Sequence, residues 1–107
     1  MVAKGKKVDP LRFNMMYLCV ALRRVDIAKD PLADALKRGW DERDIKRCLL
    51  TLYPKHWHKT MPSKSRPGTL MDAYRRRFEK VNWYIKTAFV SDKKRGLWLV
   101  VTSFKEK

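Results

Sequence analysis

Apolar positions recur with a helical period through the first half of the chain and alternate with polar ones through the second. Asp9-Pro10 reads as an N-cap followed by a first-turn proline, so a helix is expected to start there. Its apolar residues, including Leu11, Met15, Leu18, Val20 and Leu22, spread over most of the circumference, which predicts packing on two faces. Arg23 and Arg24 suit its C-terminus, where cations meet the negative end of the helix dipole. Asp30-Pro31 repeats the start signal for a short helix through about Arg38, with Leu32, Ala35 and Leu36 inward and Gly39 as its stop. Asp41, with Asp44 in capping-box spacing, opens a third helix. Ile45, Cys48, Leu49 and Leu52 form its buried stripe, and Pro54 ends it.

Beyond Pro54 the period changes. Residues 62–68 (Pro-Ser-Lys-Ser-Arg-Pro-Gly) form a basic, turn-rich loop. In 83–90, Trp83, Ile85, Thr87 and Phe89 point one way, and Tyr84, Lys86, Ala88 and Val90 the other. Residues 97–104 read as a second, more apolar strand, and 91–96 as the hairpin loop between them. Helices followed by strands predict an α+β domain, with the N-terminal helices packed on one face of a mostly antiparallel β-sheet. One domain is expected over residues 1–107, with 1–9 as a flexible basic arm.

Composition narrows the function. The chain has 107 residues, 45% of them hydrophobic, which excludes wholesale disorder. No apolar run approaches the ~20 residues of a membrane span, and the basic N-terminus lacks the apolar core of a secretory signal, so a cytoplasmic location is expected. Cys19 and Cys48, each in an apolar segment, are expected to be buried reduced thiols. The net charge is +15. Up to Tyr53 there are 12 basic and 7 acidic residues; from Pro54 there are 14 and 4, so two-thirds of the excess lies in the second half. A small protein this basic is expected to meet a polyanion, with RNA, DNA, an acidic membrane surface or an acidic protein as the options.

The chain has no glycine-rich phosphate loop and no nucleophile elbow. His56 and His58 stand at strand spacing without an obvious third ligand, so no metal site is expected. What the second half offers is cations interleaved with rings, in Lys55-His56-Trp57-His58-Lys59, Tyr74-Arg75-Arg76-Arg77-Phe78 and Trp83-Tyr84-Ile85-Lys86. Such side chains meet phosphates and stack on unpaired bases. Trp83, Phe89 and Trp98 are assigned to the core; Tyr84 lies opposite that set, on the face of Lys86. If Trp57 points inward, regular alternation turns Lys59 inward with it, away from both histidines; a bulge would reverse this.

Four blocks in this half resemble the MqsR toxins of bacterial toxin–antitoxin systems. They are Trp57-His58-Lys59-Thr60-Met61, Asp72-Ala73-Tyr74-Arg75-Arg76-Arg77, Tyr84-Ile85-Lys86 and the terminal Ser103-Phe104-Lys105-Glu106-Lys107, in the family's order and approximate spacing. The resemblance covers about Lys55 to Lys107 and is not evident before about residue 30. It implies a RelE-like fold and an endoribonuclease that cuts mRNA at short sequences without metal or cofactor. It also implies a neutralising antitoxin, MqsA-like and encoded nearby. The family's catalytic positions map onto Lys59, Tyr84 and Lys105, and a family glutamine is Met71 here. Arg75, Arg77, Lys86 and His58 are the expected RNA contacts, with His58 in reserve as an acid or base. Two other readings compete: a non-catalytic RNA- or DNA-binding module, and an adaptor for an acidic protein.

Overall fold

The computed structural model describes residues 8–107. Among them three α-helices, α1 (Pro10–Ala21), α2 (Lys29–Leu36) and α3 (Glu42–Leu50), accompany one five-stranded sheet. The strands are β1 (Val25–Ile27), β2 (Trp57–Pro62), β3 (Leu70–Phe78), β4 (Val81–Asp92) and β5 (Gly96–Glu106), in the spatial order β1-β5-β4-β3-β2. All neighbouring pairs are antiparallel except β1 with β5, which is parallel. The α+β class and the mostly antiparallel sheet are as the pattern predicts. β1 was not foreseen, because Val-Asp-Ile is too short to show a period.

The cap chemistry explains the helix starts. Asp9 accepts from the Leu11 amide at 2.9 Å, with Pro10 in the first turn. Asp41 and Asp44 exchange side-chain-to-backbone bonds at 3.1 and 2.9 Å, a complete capping box built with aspartate. The second helix departs from expectation: Ala35 is buried and Leu32 packs against the core, but Leu36, expected inward, is exposed. It begins at Lys29, with Ala28 as an N-cap that makes no side-chain bond. Asp30 therefore sits inside the first turn, where its charge meets the positive end of the dipole. Gly39 stops the segment with φ of 78°. Pro54 opens a 3-10 turn, Pro54–His56, rather than closing α3.

Three further expectations need correction. Of the proposed basic arm, residues 1–7 lie outside the described residues, while Val8 is buried in the core and Asp9 caps α1. α1 packs on one side only, through Phe13, Met16, Cys19 and Val20; Leu11, Leu18 and Leu22 are exposed. Trp98 is half-buried on the sheet face away from the helices, where the Arg95 guanidinium stacks 4.0 Å from its ring. Trp83 is in the core, 4.5 Å from Phe104 and 4.7 Å from Trp40 between ring centroids, and Phe89 is half-buried under Arg12. Both cysteines are free and buried, and burial pushes the Cys48 thiol up to about 12.

The sheet has two unlike faces. Directly paired residues share a face, so the pairings sort them. Asp72 and Tyr74 of β3, Ile85 and Thr87 of β4, and Val101 and Phe104 of β5 face the helices and are buried. Arg75, Tyr84, Lys86, Ser103 and Lys105 lie on the other face. Among the described residues no helix is long and apolar enough to cross a membrane.

Candidate nucleic-acid interface

The site is built on the sheet face that, among the described residues, carries no helix. Tyr84 is directly opposite Arg75 on β3 and Lys105 on β5, so these three form one row across the strands. The next row holds Lys59 of β2, Ala73 of β3, Lys86 of β4 and Ser103 of β5. Above Tyr84 stand two ammonium groups, Lys107 Nζ at 4.6 Å and Lys86 Nζ at 5.6 Å from the ring centroid. The His58 ring meets it edge-on at 6.4 Å. Tyr84 is thus only 9% exposed although no helix covers it. Long cationic side chains roof it, with their ammonium groups over the face of the ring.

Two β-bulges assemble this face. The β2–β3 register shifts between Trp57 and Lys59, so His58 is the extra residue. Trp57 and Thr60, three residues apart, consequently both point toward the helices, and Lys59 points away. Regular alternation predicts Lys59 on the Trp57 side; the bulge overturns that and gathers His58 and Lys59 on the Tyr84 face. In β5 the pairing skips Thr102, since Val101 pairs with Thr87 and Ser103 with Lys86. That shift moves Lys105 to the open face and Phe104 into the core. The Thr102 hydroxyl lies 3.3 Å from the Lys86 carbonyl and 3.6 Å from the Met71 sulfur.

A buried polar chain fixes the first bulge from behind. Trp57 Nε1 donates to Thr60 Oγ1 at 3.2 Å, and Thr60 Oγ1 donates to Asp72 Oδ1 at 2.6 Å. Arg12 of α1 completes it, with Nε donating to Asp72 Oδ2 at 2.9 Å and a terminal nitrogen 2.7 Å from the same oxygen. The Asp72 carboxylate, 1% exposed, is consumed by this network and contributes nothing to the open face.

The electrostatics of the open face follow. Among the described residues Lys59, Arg75, Lys86, Lys105 and Lys107 take part in no ion pair, whereas Arg12, Arg38, Arg43, Lys46, Arg47 and Arg95 all do. His58 titrates below its ordinary value because of partial desolvation and then the positive charges of Arg75, Lys59 and Lys107; it is neutral at pH 7. His56 is a different case. Its Nδ1 accepts from the Tyr53 amide at 2.8 Å, and Arg76 approaches its Nε2 at 3.4 Å. It stabilises the turn before β2, and Arg76, on the helix side opposite Trp83, follows it away from the site.

The expected residues are therefore unequally placed. Tyr84, Lys105, Arg75, Lys86 and His58 come together. Lys59 shares their face but starts two strands from Tyr84, about 10 Å across the sheet at ~4.8 Å per strand. Arg77 shares the face at its outer end, opposite Asn82, where it lines a groove with Arg75 and Lys107. Lys107 was missed. Its signal was its position two residues beyond Lys105, on the same side of an extended chain. Met71 is opposite Ala88 and, with Met61, lines a shallow depression beside Lys86 and Ser103.

No family model matches the chain, and none of the curated proteins matches it. The likeness to the MqsR toxins therefore stands on the four motif blocks alone.

Proposed function

We propose that this protein is a metal-independent endoribonuclease, an mRNA-cleaving toxin of the MqsR kind, acting in the cytoplasm and neutralised by a cognate antitoxin. A RelE-like architecture belongs to the same proposal. The observation that carries it is the tyrosine roofed by cations that form no ion pair among the described residues, on the open sheet face, with Arg75 and Lys105 in register on either side. A surface that only attracts a polyanion needs positive charge; it does not need a desolvated phenol and a neutral imidazole at the centre of that charge.

The chemistry these groups support is attack by the substrate's own 2′-hydroxyl. The 2′-oxygen bonds to the adjacent phosphorus as the bond to the 5′-oxygen breaks, leaving a 2′,3′-cyclic phosphate and a 5′-hydroxyl. The 2′-proton passes to a base, and His58, neutral at pH 7, is the group available to take it. Tyr84 lies beside it to relay or donate a proton to the leaving oxygen. Arg75, Lys105 and Lys107 stabilise charge on the non-bridging oxygens, which is greater in the transition state than in the bound substrate. Lys59 and Lys86, one row along, hold the neighbouring phosphate.

Incubation with RNA in chelator tests the reading. Discrete fragments ending in 2′,3′-cyclic phosphate are expected. Salt-sensitive RNA binding without fragments would replace it by the non-catalytic RNA-binding module, which the same cationic face also supports.

A further inference from the structure

The helix layer, on the opposite side of the sheet from Tyr84, carries a different surface. Leu11, Met15, Leu18 and Leu22 follow one another at intervals of four, three and four residues, a single stripe along α1 and its C-cap. Leu11, Leu18 and Leu22 are 66%, 56% and 57% exposed. Met15, Leu18 and Leu22 also line a groove of about 160 Å³ together with Cys19, Arg24 and Leu97. Scattered exposed leucines are ordinary, but a continuous row on one short helix marks a binding surface. Leu11, Met15, Leu18 and Leu22 themselves lie outside the core cluster, which Cys19 belongs to.

The charge around the stripe selects its occupant. Arg23 and Arg24 stand at its C-terminal end, and among the described residues neither forms an ion pair. Arg43, Lys46 and Arg47 of α3 edge the adjoining depression together with the exposed Leu50, but each is already paired with a carboxylate, so the free charge beside the stripe is that of Arg23 and Arg24. A second copy of the chain is a poor occupant, because two molecules of charge +15 repel and each would bring the same cations. We propose that the stripe docks an acidic amphipathic helix of a partner protein. Its leucine-type side chains fill the groove over Met15, Leu18 and Leu22, and its carboxylates reach Arg23 and Arg24. The Tyr84 face stays free, so such a partner and a single-stranded RNA bind at the same time. This inference does not rest on the ribonuclease reading.

The test uses a labelled 18-residue peptide with leucines at i, i+3, i+4 and i+7 and glutamates elsewhere, beside a shuffled peptide of identical composition. Binding is followed by fluorescence anisotropy. The amphipathic peptide should bind at least about tenfold more tightly than the shuffled one, as expected from burying two or more leucine side chains. The pair Leu18→Ser and Leu22→Ser, both at exposed positions, should weaken it by a similar factor. Arg23→Glu with Arg24→Glu, which leaves the apolar row intact, should also weaken it. Saturating 2′-O-methyl RNA should leave peptide affinity within about twofold. Equal affinity for both peptides, or indifference to the serine pair, overturns the proposal. So does a concentration-dependent dimer abolished by the serine pair, or stripe-dependent binding to anionic phospholipid vesicles with none to the peptide. Competition between RNA and peptide would overturn the assignment to a separate face.

Discussion

The salt dependence of RNA binding is set by the cations that are free to meet phosphate. Five share the open face with Tyr84: Lys59, Arg75, Lys86, Lys105 and Lys107, none neutralised by a described carboxylate. Each contact with a single strand contributes a slope of about −0.7 in log affinity against log salt, so five give about −3.5. Between 50 and 200 mM salt the affinity should then fall by roughly 100-fold. Arg75→Ala combined with Lys107→Ala removes two contacts, reduces the slope to about −2, and cuts the same fall to roughly 20-fold. The two side chains are cross-strand neighbours of the site rather than core residues, so the fold should survive. Arg43→Ala with Arg47→Ala is the control, because those arginines lie on α3 and are paired with Asp41, Asp44 and Glu79. The measurement is anisotropy of a labelled 2′-O-methyl oligonucleotide, which binds but lacks the attacking hydroxyl. A slope unchanged by the first pair, or flattened equally by the control, would refute the assignment of the open face as the RNA surface.

Tyr84→Phe removes only the hydroxyl of a side chain held by its neighbours, and RNA cleavage should fall by ~10²-fold with the thermal midpoint little changed; a wild-type rate would exclude the phenol from the reaction. Since His58 is held below its ordinary value, kcat/KM should lose activity as pH falls through a midpoint under 6.5, where the imidazole gains its proton, and His58→Gln should flatten that limb; a limb that survives the substitution assigns proton acceptance elsewhere. Arg12→Ala strands the buried Asp72 carboxylate and should cost about 3–5 kcal/mol in denaturant unfolding, with a loss below 1 kcal/mol showing that water replaces the guanidinium. Tyr74→Phe deletes a buried hydroxyl without a hydrogen-bond partner among the described residues, beside Asp72, and should leave stability unchanged or raise it by about 1 kcal/mol; a clear loss would mean that the hydroxyl is satisfied in solution.

Much of the fold was legible because it is local. Asp9-Pro10, the Asp41–Asp44 box and Gly39 act within one turn of where they stand, and each ended or began an element as their chemistry requires. The failures belong to tertiary context. β1 exists because β5 offers a free edge to Val25–Ile27, and no three-residue segment announces a parallel partner. α1 is apolar nearly all round, and sequence alone does not say that only its Phe13 side finds the sheet. The β3–β4 turn hides likewise: Glu79 and Lys80 both take positive φ, where Asn-Gly is the usual signal. Arg47 of α3 holds the Glu79 carboxylate at 3.2 Å, support that comes from a residue 32 positions away.

The site was legible in its residue types and illegible in its geometry, for one reason that operates twice. Alternation places Lys59 with Trp57, and Lys105 with Leu97, Leu99 and Val101, on the side of the helices. Two lysines there would be buried charges without partners, a cost of several kcal/mol each. The extra residues His58 and Thr102 turn both lysines outward, one on the β2 edge and one on β5, so that both share the open face with Tyr84. Each bulge is secured by something sequence-distant: the first by the chain from Trp57 through Thr60 and Asp72 to Arg12, the second by Phe104, which the shift delivers into contact with Trp83. The core and the open face therefore constrain the same two backbone irregularities from opposite sides. A substitution behind the sheet, at Arg12 or Phe104, should thus alter the cation cluster in front of it, although neither residue reaches that face.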